Sequence, residues 1–166
     1  MNWKPGRGGL VVDIVTPLIV ETMQQPANSQ RVTSLHITAL ATASMASLVV
    51  PLGPHWGSIR PTLPPMPTPS FEPTLHVAVR PPHPTKDPPD CPTDRCTHFL
   101  VVKNQAQLHR WLQSIVDALN RACQQVNAAP FAHPEPNRFF HMSVFNNRGG
   151  QPHRSIGDIN INDLKQ

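Results

Sequence analysis

Short β-branched or alternating apolar runs, broken by proline-rich stretches, set the first expectations for this chain. Leu10-Val11-Val12-Asp13-Ile14-Val15-Thr16 predicts a strand halted by Pro17. Ser34 to Ala41 predicts a second, and Ser47-Leu48-Val49-Val50 is a candidate for another. Thr74 to Arg80 alternates as a strand does, and Thr97-His98-Phe99-Leu100-Val101-Val102-Lys103 is a clear one. One stretch has helical period instead. From about Asn104 to Asn127, Leu108, Trp111, Leu112, Ile115, Val116, Leu119, Ala122 and Cys123 recur at three- and four-residue spacing and form one apolar stripe. Asn104 is placed to cap it, and the segment from Pro130 to Pro136 ends it, with a further strand from near Arg138. Met23 to Arg31 is polar without periodicity, Pro51 to Ser70 reads as a loop or disordered insert, and Pro81 to Asp94 as loop. Strands with one long helix predict an α+β fold.

Length and composition narrow this picture. The 166 residues suit one domain carrying an irregular segment, and most of the 21 prolines fall between Pro51 and Pro92. The expected division is a poorly defined segment at 1–33, a domain at 34–146 with a proline-rich insert at 51–73, and a tail at 147–166. A net charge of +4 biases the chain mildly toward anionic partners. Cys91, Cys96 and Cys123 are too few and too unevenly spaced for a disulfide framework or a zinc site. No run is long and apolar enough for a membrane span; Asp13 and Pro17 interrupt the Leu10–Ile19 stretch that imitates a signal peptide.

The chemistry sits in two strands that read alike, Leu35-His36-Ile37-Thr38-Ala39-Leu40 and Phe140-His141-Met142-Ser143-Val144-Phe145. Residues i and i+2 of a strand share a face, so each imidazole projects with its hydroxyl while the alternate residues face a core. The same spacing at His83-Pro84-Thr85 and His153-Arg154-Ser155 lacks strand surroundings and is read as accidental. Two imidazoles suit RNA cleavage: one removes the 2′-hydroxyl proton, the other protonates the departing 5′-oxygen. Hydroxyl donors would hold the non-bridging oxygens. This scheme needs no metal or other cofactor, and no carboxylate cluster is spaced to hold a metal. The bland alternative is a pair of polar residues on half-buried strands.

The paired strands resemble the two-histidine (2H) phosphoesterase superfamily. Within it, the C-terminal half is most similar to the U6 snRNA 3′ phosphodiesterase family. The likeness runs from Thr93-Asp94-Arg95-Cys96-Thr97-His98-Phe99-Leu100-Val101-Val102 through the helix to Pro130-Phe131 and Arg138-Phe139-Phe140-His141-Met142-Ser143-Val144. His55-Trp56 is also similar to a pair found in some members. The resemblance implies His141 as general base and His36 as general acid, with Thr38 and Ser143 on the phosphate. It further implies a bilobal fold of antiparallel sheets with flanking helices. The activity implied is trimming of uridines or adenosines from a single-stranded RNA 3′ end by a nuclear, monomeric enzyme, with no membrane partner.

This chain departs from the pattern in several places. It is short, it has no long helix before His36, and it has Thr38 where serine is common. It also lacks tyrosine, which members use to stack the terminal base; Phe131, His133 or Phe139 could substitute. Two other readings stay open: a different 2H cyclic phosphodiesterase, and a non-catalytic RNA-binding or proline-rich interaction protein. The PxxP matches at Pro61-Thr62-Leu63-Pro64 and Pro64-Pro65-Met66-Pro67 read as spacer, and Arg148-Gly149-Gly150 and Arg154 as an exposed basic loop. Lys103 and Arg110 read as solvated, and Trp111 as core.

Overall fold

A computed structural model describes residues 1–26, 29–80 and 95–146. The expected loop at 81–94 with His83, Cys91 and Thr93-Asp94, and the tail at 147–166 with Arg148, His153 and Arg154, lie outside the described residues. In chain order the elements are β1 (Leu10–Asp13), α1 (Leu18–Glu21), β2 (Gln30–Arg31), β3 (His36–Leu40), α2 (Thr42–Met45), α3 (Val49–Leu52), α4 (Trp56–Ile59), β4 (Phe71–Arg80), β5 (Arg95–Val102), α5 (Gln105–Gln125) and β6 (His141–Asn146). The class is α+β. Among the described residues six strands form an antiparallel sheet in the order β1-β3-β6-β5-β4, with β2 also pairing β6. Pro73 lies in β4 at the end of that order, where a missing N–H costs no central ladder bond. The chain separates into two compact units.

The first unit comprises Met1–Asp13, Ile37–Ser70 and Val102–Phe140. The α5 stripe predicted from periodicity is buried throughout, with Ala118 added to it. Asn104 stands at the N-cap but makes no capping bond. Its side chain instead accepts from the Ser70 N–H (2.9 Å) and donates to the Thr68 carbonyl (3.1 Å), fastening the incoming chain. The helix ends before Pro130. Asn127 turns left-handed (φ 56°), and the Ala128 and Asn127 N–H groups return to the carbonyls of Cys123 (2.8 Å) and Gln124 (3.2 Å). That is a Schellman cap with asparagine in the place glycine usually takes.

Two expectations fail in this unit. Ser47–Val50 is helical, spanning a 3₁₀ turn at Ala46–Leu48 and the start of α3. The stretch from Pro51 to Thr62 is a train of single turns, α3 and α4 alternating with 3₁₀ turns at Gly53–His55 and Arg60–Thr62. Pro54 and Pro61 sit in the first turn of their elements, where the N–H has no intrahelical acceptor to lose, so each proline starts a turn where it was expected to break one. Leu48, Leu52, Ile59 and Leu63 recur toward one side and are buried, and α3 packs on α5. From Pro64 to Ser70 the chain is irregular, as expected. The Trp111 indole N–H donates to the Pro64 carbonyl (2.9 Å), so this core tryptophan also pins the proline segment.

The second unit comprises, among described residues, Ile14–His36, Phe71–Val101 and the β6 strand from His141. Val101, Leu100 and Phe99 stand opposite His141, Met142 and Ser143; the register then slips, and His98 and Thr97 face Phe145 and Asn146. The slip leaves Val144 as an extra residue on β6, a bulge. It lets Val144 and Phe145 both turn inward, and both are fully buried. The Arg31 guanidinium of β2 lies over the Phe145 ring at 5.5 Å.

Candidate active site

The two motif strands have the same burial pattern. In β3, His36 and Thr38 are half-buried while Ile37 and Ala39 are fully buried; in β6, His141 and Ser143 are half-buried while Met142 and Val144 are fully buried. Alternation therefore places each imidazole and its hydroxyl on the more open face of its strand. The strands are neighbours in the sheet order. His36, His141 and Ser143 belong to the second unit, whereas Thr38 belongs to the first.

The His36 ring is oriented by its own chain. Its Nδ1 lies 3.0 Å from the Ser34 carbonyl, and a carbonyl only accepts, so Nδ1 carries the proton of that bond. Nε2 is left as the nitrogen able to exchange a proton. His141 is oriented by aromatic packing. The Phe99 ring meets it edge-on (centroids 5.3 Å, interplanar 71°), and His76 stacks on Phe99 from β4 (5.6 Å, 24°). His76, Phe99 and His141 thus form a row across three strands. The His76 Nε2 is buried without a hydrogen-bond partner.

The first unit holds the backbone just before the second motif and, for the first motif, the backbone at Thr38 and Ala41. The Gln105 amide accepts from the Phe140 N–H (2.9 Å) and donates to the Phe140 carbonyl (2.7 Å) and the Val102 carbonyl (2.8 Å). The residue before His141 is clamped from both sides. On β3, the Arg138 Nε donates to the Thr38 carbonyl (2.8 Å), and Arg138 is itself ion-paired with Glu135. Glu135 also accepts from the Ala41 N–H (2.7 Å) just before α2. Burial pushes the Glu135 carboxyl up, but hydrogen bonds from Ala41, Ser44 and Arg138 together with the Arg138 charge outweigh it and hold it below the usual carboxylate value.

The three stacking candidates also fall in the first unit. Phe131 is buried, its N–H and carbonyl both bonded to the Asn120 amide (2.6 and 2.8 Å). His133 and Phe139 are half-buried. The His133 Nδ1 accepts from the Glu135 N–H (3.2 Å), which requires that nitrogen unprotonated, and burial lowers the ring's basicity in the same direction.

Sequence reasoning missed His76, Phe99, Gln105, Glu135 and Arg138. Only Glu135 and Arg138, charged residues in a short segment between proline and the motif, carried a visible signal. Among the described residues no group of three or more His, Cys, Asp or Glu is placed to hold a metal ion, and no helix is long and apolar enough to cross a membrane. No protein-family model, curated protein or solved structure matches this chain.

Proposed function

We propose that this chain is a metal-independent RNA phosphodiesterase of the 2H type, acting on single-stranded 3′ ends with the U6-processing kind of activity and working as a nuclear monomer. The observation that carries the reading is the repeated arrangement on β3 and β6. Each strand offers an imidazole and a hydroxyl on its more open face over buried alternate residues, and the two strands are neighbours in one sheet.

In this reading the His141 imidazole takes the 2′-hydroxyl proton as the 2′-oxygen bonds to phosphorus. The bond from phosphorus to the 5′-oxygen breaks, and His36, protonated at both nitrogens, gives its Nε2 proton to the leaving oxygen. The Nδ1–H bond to the Ser34 carbonyl supports this role, since it fixes the ring and leaves Nε2 as the nitrogen that delivers the proton. Ser143 donates to a non-bridging oxygen as its charge grows. The product is a 2′,3′-cyclic phosphate, which water opens with the histidine roles exchanged. The resemblance gives Thr38 the same task as Ser143, and it gives the two halves a bilobal arrangement.

The test is cleavage of oligo(U) ending in a 3′-hydroxyl, run with EDTA and with added Mg²⁺. Activity should persist in chelator and fall by about 10²–10⁴-fold in His141→Ala and in His36→Ala. Loss in EDTA with recovery in Mg²⁺, or full activity in His141→Ala, overturns the reading. Cleavage of a nucleoside 2′,3′-cyclic phosphate without shortening of oligo(U) would move it to another 2H chemistry.

A further inference from the structure

The first unit contains a cavity of about 650 Å³ that plays no part in the proposed chemistry, walled by the α4 turns on one side and the Pro64–Met66 segment on the other. Its volume lies within the usual range for small-molecule sites, about 300–1,000 Å³. Trp56 and Arg60 both line it. They are four residues apart on successive helical turns, so indole and guanidinium share one face. Trp56 is half-buried with its ring seated edge-to-face on Trp3 (5.2 Å, 88°), which fixes its orientation. Arg60 is exposed and has no carboxylate partner among the described residues. The opposite wall is stiffened by its prolines and by the Trp111 bond to the Pro64 carbonyl. At Gly57, between the two ligand-facing residues, a Cβ would meet nothing within 4 Å, so the cavity reaches that backbone.

We propose that this cavity binds a nucleoside monophosphate, with the base against Trp56 and the phosphate on Arg60. An aromatic wall beside a guanidinium with no carboxylate partner among the described residues matches a flat ring carrying an anionic group. The remaining lining side chains, Met1, Val12, Leu63, Met66 and the prolines, are apolar and offer shape. The assignment uses none of the residues of the phosphodiesterase reading and stands or falls separately from it.

The test is a titration of the full chain with UMP and AMP, followed by tryptophan fluorescence and calorimetry. Uridine, inorganic phosphate and octanoate serve as ligands with one feature removed. Both nucleotides should quench fluorescence, and the quench should vanish in Trp56→Phe. Arg60→Gln should weaken UMP about tenfold while leaving uridine unchanged, as expected for one charge-assisted contact. Gly57→Leu should fill the space and abolish binding; because Arg60→Gln alters only an exposed side chain, it decides the matter even where Gly57→Leu fails to fold. Octanoate binding as tightly as UMP, UMP affinity unchanged in Arg60→Gln, or no nucleotide binding at millimolar concentration overturns the assignment.

Discussion

Replacing Glu135 tests how far a single carboxylate secures the first motif strand. It receives the Ala41 N–H at the start of α2 and pairs with Arg138, whose Nε in turn donates to the Thr38 carbonyl. Both charged side chains are largely sheltered, at 15% exposure for Arg138 and 18% for Glu135, so solvent screens them less than a surface pair. A hydrogen bond to a charged group is worth about 1.5–3 kcal/mol. Glu135→Ala removes the one from Ala41 and leaves Arg138 half-buried without its counter-charge. A loss of about 2–4 kcal/mol follows, the two effects overlapping because they share one carboxylate.

The pH dependence has a definite sign. The folded-state carboxyl is held below its unfolded value, so folding favours the ionised form. Its contribution is complete above the unfolded-state value and is lost as pH falls through the lower folded-state value. Glu135→Gln retains an acceptor for the Ala41 N–H but cannot titrate. Urea unfolding of the parent, Glu135→Ala and Glu135→Gln between neutral and acid pH measures this directly. The stability gap between parent and Glu135→Gln should narrow as pH falls. A gap that stays constant, or a Glu135→Ala loss under about 0.5 kcal/mol, the range of an ordinary surface substitution, would refute the reasoning.

Three further outcomes can be measured on the same footing. Gly9→Ala should cost about 1–3 kcal/mol in urea unfolding, because its Cβ would stand 2.3 Å from the Leu40 carbonyl oxygen and backbone must shift to admit it. Gln105→Leu should destabilise the chain by about 1–3 kcal/mol for each Phe140 group left unbonded and, on the proposed function, slow oligo(U) cleavage as well, since the clamped residue precedes His141. Cys123 should react slowly with thiol reagents in the folded chain and rapidly in urea, because burial covers the thiol and raises its pKa, disfavouring the thiolate.

Much of the fold was legible because local periodicity survives folding. The α5 stripe, the strands at Thr74–Arg80 and Thr97–Lys103, and the alternation around His36 and His141 all appear where the pattern of apolar residues places them. Proline misled the reading. Counted by content, the 51–62 stretch looks incapable of helix; taken by position, Pro54 and Pro61 fall where single turns begin, and Leu48, Leu52 and Ile59 keep a helical spacing through them. The expected helix end near Asn127 holds, but the device that makes it differs. Pro130 is the visible stop in the sequence, whereas the left-handed Asn127 closes the helix in the structure.

The candidate site divides along the same line. Which face His36, Thr38, His141 and Ser143 occupy follows from a period of two and needs only the strand itself. His36 is held from two residues away by the Ser34 carbonyl, whereas what surrounds His141 comes from far along the chain. Phe99 reaches His141 from β5, His76 reaches Phe99 from β4, and Gln105 at the start of α5 grips a backbone 35 residues away. None has a sequence signature, since a phenylalanine in a strand or a glutamine in a helix is ordinary at its own position. A two-residue motif can therefore nominate the reacting groups, while their precision rests on residues that only the folded chain identifies. On the proposed function, substitutions at Phe99 or Gln105 would weaken a site whose motif is intact, so loss of cleavage with both histidines present would point to their supports and not to the motif.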